Sequence, residues 1–133
     1  MSSAVQNSVQ PSSGLKAQVD QLIAHIKAGH IIDAMEKFYA PNVVMSENNN
    51  PPTVGLAANI ERERQFVSYI KQFKSFDVEA TTYDEPNGKV MIQSRLEFDA
   101  VDGKSIKADQ VAVQTWQNGK ITSEKFYYDS ASK

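Results

Sequence analysis

Three turn signals in the second half of the chain constrain its fold more than any other feature. Pro86-Asn87-Gly88, Asp102-Gly103 and Asn118-Gly119 separate four segments, FDVEATTYDE, GKVMIQSRLEFDA, SIKADQVAVQTWQ and KITSEKFYYD. Each segment alternates along its length and is rich in β-branched or aromatic residues, as strands are. Asn-Gly and Asp-Gly readily take the positive φ that tight hairpins need. Consecutive strands joined this way form an antiparallel meander.

The first half has a different period. In residues 15–28, Leu15, Val19, Leu22, Ile23 and Ile26 fall on one helical stripe, and Gly29 follows as a terminator. A second helix is expected over 31–39, with Ile31, Met35 and Phe38 on one face and Pro41 as its stop. Residues 43–47 read as a short strand. The segment 56–73 reads as a third helix, with Phe66, Val67, Ile70 and Phe73 on one side. Asn59 and Glu63 continue that apolar stripe, Arg62 lies at its margin, and Glu61 and Arg64 point away. Helices first and strands afterwards give an α+β protein, with three helices packed on one face of a curved sheet.

A chain of 133 residues fits one domain. It is expected over 15–129, after a Ser-, Gln- and Pro-containing flexible arm at 1–14 and before a short tail at 130–133. The net charge of −2 carries no electrostatic footprint for nucleic acid. No basic patch for a membrane surface is visible, and no apolar run reaches the roughly 18 residues of a membrane span. The N-terminus lacks the charged and apolar regions of a secretory signal. The absence of cysteine excludes disulfides and thiolate chemistry. A soluble, cytoplasmic protein is expected.

The candidate site begins at Glu47. If Met45 packs inward, Glu47 shares its face, because side chains alternate with period two. A carboxyl at an apolar wall has a raised pKa and can work as a general base or acid. The bland alternative is a strand-end glutamate in solvent. Asn59 and Glu63 lie one turn apart beside the amide- and proline-rich loop that follows Glu47; if both glutamates are buried and close, one holds a proton. The competing reading is a helix N-terminal region decorated with acid. Asn48 is a candidate ligand-binding amide, although Asn runs commonly make turns. Gln114, Trp116 and Tyr128, with Phe126, are candidates for the wall of an apolar pocket, or for core and sheet packing. The histidines, His25 and His30, have no metal-ligand spacing, and no nucleophile motif or phosphate loop is present. No metal or cofactor is implied.

Three pieces, AGHIIDAMEKFYAPNVVMSE, the helix-leading Gly55 and WQNGKITSEKFYYD, resemble the SnoaL-like branch of the nuclear-transport-factor-2-like superfamily over about residues 15–129. ENNNPPTVG and GKITSEKFYYD are similar to a subgroup whose members are mostly of unknown function. The resemblance implies a cone-shaped, cystatin-like α+β barrel with a pocket between helices and a strongly bent, mainly antiparallel sheet. It also implies homodimers formed through the sheet. Glu47 lies where related ketosteroid isomerases carry a general-base carboxylate. Their oxyanion-stabilising tyrosine corresponds to Leu22 here, and their second donor to Val113 or a neighbour. The two carboxylates and arginine of related epoxide hydrolases have no assigned match, with Arg62, Arg95 and Asp109 as material for a variant. The family hosts isomerases, cyclases, dehydratases and binding modules, so fold does not select among them. Two functions follow as expectations. One is proton-transfer chemistry on a small, largely apolar molecule with Glu47 as base. The other is a non-catalytic binding module or dimeric scaffold.

Overall fold

A computed structural model describes residues 14–129. The expected arm and tail lie outside the described residues, apart from Gly14, whose carbonyl accepts a hydrogen bond from the Gln18 N–H at 3.1 Å. The order is α1 (Leu15–Lys27), α2 (Ile31–Phe38), β1 (Tyr39–Glu47), β2 (Thr53–Val54), α3 (Leu56–Tyr69), β3 (Ile70–Asp84), β4 (Lys89–Ala100), β5 (Ser105–Gln117) and β6 (Lys120–Tyr127). The six strands form one sheet in the order β2-β1-β6-β5-β4-β3. Neighbours are antiparallel except β1 and β6, which run parallel. The α+β architecture expected from the sequence is present.

Irregularities bend this sheet. The β3–β4 register shifts at three places, between Ile70 and Gln72, Phe73 and Ser75, and Val78 and Ala80. On the other side, Thr115 pairs with Ser123 and Trp116 with Ile121, which leaves Thr122 as an extra residue in β6. Each bulge increases local twist and bends its strand. The concave side receives the helices. Val19 and Leu22 of α1 and Ala34, Met35 and Phe38 of α2 pack with Val90, Ile92, Trp116 and Ile121 into one buried cluster. A fully buried Leu or Met in such a core contributes roughly 1.5–3 kcal/mol. The β3–β4 turn is fastened to this core through Gly88: Trp116 N–H donates to its carbonyl at 2.8 Å. Its φ of +64°, and the Trp116 carbonyl lying where a Cβ would stand, leave room only for glycine.

Two boundaries differ from the sequence reading. The third helix ends at Tyr69 rather than 73, and Ile70–Phe73 open β3. Ile70 and Phe73 satisfy a helical stripe, yet pairing with Ala100 and Phe98 gives the same side chains a sheet partner. Tertiary pairing overrides the local period here. Likewise, the second helix stops at Phe38, and β1 starts at Tyr39 instead of residue 43. Pro41 and Asn42 fall in an irregular stretch between the Tyr39 and Val44 pairings with β6, where a missing N–H is tolerated. The two-residue β2 was not expected. It pairs Val54 with Val44 and Thr53 with Met45, folding the amide-rich loop back onto β1.

Candidate functional site

The helices do not fill the bent sheet. Phe66 and Val67 of α3 remain 37% exposed, although Phe66 packs edge-on against Phe98 at 5.5 Å. Behind them lies a cavity of about 1100 Å³, slightly larger than the usual small-molecule site. Its walls are mostly apolar, with Ile26, Met45, Phe76, Ile92, Leu96 and Phe126 among them. One set of polar groups comes from β1, β6 and the first half of α3, and others come from β4 and β5.

Glu47 lines this cavity at its mouth. The Tyr128 hydroxyl donates to Glu47 Oε1. Arg62 Nη2 stands 3.9 Å from Glu47 Oε2, and the Glu47 side chain is 38% exposed. Arg62 is itself positioned by donating to Thr53 Oγ1 at 2.9 Å. The loop holding this arrangement is braced internally. Asn50 N–H donates to the Glu47 carbonyl at 2.9 Å, and Gly55 N–H to the Val43 carbonyl at 2.8 Å.

Glu63, one turn beyond Asn59, faces the same hollow. Burial pushes its carboxyl up to about 7; the charges of Glu124 and Glu47 add to the rise, and Arg62 opposes it. A carboxyl titrating near neutrality can both give and take a proton at pH 7.

The third glutamate is Glu124, which sequence reasoning missed. It is 3% exposed and lines the cavity. The Tyr39 hydroxyl donates to its Oε1, and Gln114 Nε2 donates to its Oε2 at 2.7 Å. Trp116 Nε1 then donates to Gln114 Oε1 at 2.8 Å. Burial raises the Glu124 carboxyl, while the Tyr39 and Gln114 hydrogen bonds pull it back. Burial, followed by the charge of Glu124, raises the Tyr39 phenol well above its ordinary value, so it remains a donor. Glu124 escaped notice because of the bulge at Thr122. Alternation counted from the buried Ile121 puts residue 124 outside, and the extra residue turns it inward. Counting back from the wall residue Phe126 would have found it.

The expected site residues therefore divide. Glu47, Glu63 and Tyr128 come together at the cavity. Asn59 reaches the wall, but its Nδ2 donates to the Thr53 and Gly55 carbonyls at 3.0 and 2.8 Å and clamps the loop to α3. Asn48 lies in the left-handed region, with φ of 50°. Its Oδ1 accepts from the Tyr128 N–H at 3.0 Å, which ties the loop to the end of β6, and its side chain does not line the cavity. Trp116 does not line the cavity. It is 5% exposed, packs against Phe38 with ring centres 6.3 Å apart and belongs to the core. Gln114 lines the wall with its amide engaged on both sides. Leu22 stands buried where the ketosteroid isomerase comparison expected a tyrosine. Arg95 and Asp109 pair with each other through two hydrogen bonds of 2.7 and 2.9 Å in exposed positions. His25 packs edge-on against Phe38 at 5.6 Å. Among the described residues, no group of His, Asp or Glu is arranged to hold a metal ion.

A cone of three helices on a bent six-stranded sheet, open at one end onto such a cavity, is the nuclear-transport-factor-2-like fold. Within it, residues 19–124 match the SnoaL-like domain family, and the chain belongs to that family. An NTF2-like protein of unknown function from Burkholderia pseudomallei superimposes with a TM-score of 0.76 at 14% identity, over 89% of this chain and 92% of that one. A provisionally named SnoaL-like polyketide cyclase from Jannaschia sp. CCS1 gives 0.77 at 14% identity, over 98% and 94%. TerC, co-crystallised with polyporic acid, gives 0.74 at 14% identity, over 89% and 93%. At these identities the structures share the fold alone. No curated protein matches the sequence.

Proposed function

We propose that this protein, with residues 15–129 as its single domain, binds a small, largely apolar molecule in the cavity and moves a proton on it. The observation that carries this reading is Glu63, a cavity carboxyl with its pKa near 7, facing Glu47 across the same opening. Glu47, held by Tyr128 and Arg62, serves as the base that accepts a proton from an activated C–H. Glu63, protonated for much of the time at neutral pH, returns one elsewhere on the molecule. The result is an isomerisation, a cyclisation or the first half of a dehydration, and Arg62 supplies positive charge beside a developing enolate. The polyketide-cyclase name of one fold neighbour and the acid bound to another support small-molecule chemistry.

Proton exchange tests this directly. A panel of aryl ketones and β-diketones in D₂O at pH 7 is followed by NMR for loss of the α-proton signal. The protein should accelerate exchange on at least one of them, and Glu47→Gln and Glu63→Gln should each reduce the acceleration about a hundredfold or more. Exchange at the buffer rate throughout, or exchange indifferent to both substitutions, would leave a non-catalytic binder. Leu22, apolar where the isomerase comparison expected an oxyanion donor, favours that second reading. Among the described residues, no helix is long and apolar enough to cross a membrane. A cytoplasmic homodimer formed through the outer sheet face, where Met91 and Tyr127 are exposed, completes the proposal.

A further inference from the structure

A second polar position interrupts the apolar wall, away from the glutamates. Ser94 of β4 is 2% exposed, lines the cavity and makes no side-chain hydrogen bond among the described residues. Gln110 of β5 pairs directly with it in the sheet register, lines the same cavity and likewise has no side-chain partner among the described residues. Directly paired residues of an antiparallel ladder project from the same face. The two groups are framed by Ile92 and Leu96 on β4 and by Ala108 and Ala112 on β5. A buried hydroxyl without a partner is unfavourable, and native proteins keep few of them. Here the hydroxyl and the amide stand side by side between those four apolar side chains.

Their position fixes what they can read. Glu47 is on β1, and the order β1-β6-β5-β4 puts β5 two strands away and β4 three strands away. With neighbouring strands about 4.8 Å apart, the Ser94–Gln110 pair lies about 10–14 Å across the sheet from the glutamate. Ser and Gln each both donate and accept, so the pair suits a neutral oxygen such as a hydroxyl or carbonyl. The charged residues adjacent to it in sequence, Arg95 and Asp109, pair with each other. We propose that Ser94 and Gln110 form a second anchoring subsite that selects an elongated, mostly apolar ligand with a neutral oxygen substituent remote from its reacting carbon. The inference rests on the small-molecule pocket proposed above and names the class of molecule that pocket takes.

The test uses two probes, 4,4′-dihydroxybiphenyl and 4-hydroxybiphenyl, titrated calorimetrically into the full chain. Wild type should bind the diol roughly tenfold more tightly than the mono-ol, the effect of one or two added neutral hydrogen bonds. The double variant Ser94→Ala, Gln110→Leu should reduce that ratio to about twofold or less. If the double variant fails to fold, Ser94→Ala alone decides, and the ratio must fall at least about threefold. No preference in wild type, a preference that survives substitution, or no binding of either probe overturns the subsite. Glu63→Gln keeps the two proposals apart. If it leaves proton exchange untouched while the diol preference persists, the chemistry is wrong and the subsite stands; if it abolishes exchange while no diol preference exists, the reverse holds.

Discussion

Two glutamates in this cavity each accept a hydrogen bond from a tyrosine hydroxyl, and the pairs are built for different ends. At the closed end, Glu124 is 3% exposed and takes Tyr39 on one oxygen and Gln114 on the other, with Trp116 behind the amide. Nothing in that relay is free to move without leaving a buried polar atom unpaired. At the mouth, Glu47 meets Tyr128 on one oxygen and a distant Arg62 on the other, with solvent beside it. The same chemical pair thus makes a fixed charge in one place and an adjustable group in the other. Glu63 sits between the two and feels both. A proton-transfer site of the kind proposed above would gain from this asymmetry, because a rigid environment surrounds a group that must change its charge.

The comparison breaks first at the closed end. Glu124→Ala leaves the Tyr39 hydroxyl and the Gln114 amide buried without their acceptor, and should reduce unfolding free energy by about 3 kcal/mol. Tyr128→Phe, at the wet mouth, should cost less than about 1 kcal/mol in the same urea titration. Equal losses would mean that the two ends are not differently built.

The next effect is in pH. The folded-state pKa of Glu63 lies above its ordinary value of 4.5, at about 7. Between those limits the folded state binds more proton than the unfolded chain, so stability is fully present below pH 4.5 and declines as pH rises through about 7. Allowing for the partial exposure of Glu63, the decline should be about 2 kcal/mol. Glu63→Gln should flatten that part of the profile and be the more stable protein at pH 8. A wild-type profile as flat as that of the variant would remove Glu63 from its buried setting.

The smallest effects sharpen the contrast most. Glu124→Gln removes the largest charge contribution to Glu63 and should lower its titration midpoint, read by carbon NMR of the carboxyl. Arg62→Gln removes the opposing charge and should raise the midpoint while changing stability by less than about 0.5 kcal/mol. Midpoints moving in the same direction would contradict the arrangement of charges around Glu63.

Much of this architecture was legible because the sequence signals were local. Gly29 and Pro41 punctuate the helices, and the Asn-Gly and Asp-Gly turns delimit the strands within a residue or two. The failures share a different cause. Ile70 and Phe73 fit both periods, and only pairing with β4 decides between them. A strand of two residues such as Thr53–Val54 has no periodicity to read. Glu124 sits beyond a bulge that reverses which side chains face inward, so a reading by alternation sends it to solvent. That Glu47 and Glu63 face the cavity was legible because Met45 and the α3 stripe mark their faces within the same element. Asn48 accepts from Tyr128, eighty residues on, a contact that no local pattern in the sequence shows.

The long free margin of β3 has a consequence beyond curvature. An unbroken fifteen-residue edge would be a template on which other chains could add strand after strand. The three register shifts interrupt the row of donors and acceptors, and Lys71 and Lys74 stand exposed along it. The distortions that hollow out the interior therefore also guard the protein against fibril growth, so a substitution that straightened β3 would endanger solubility as well as the cavity.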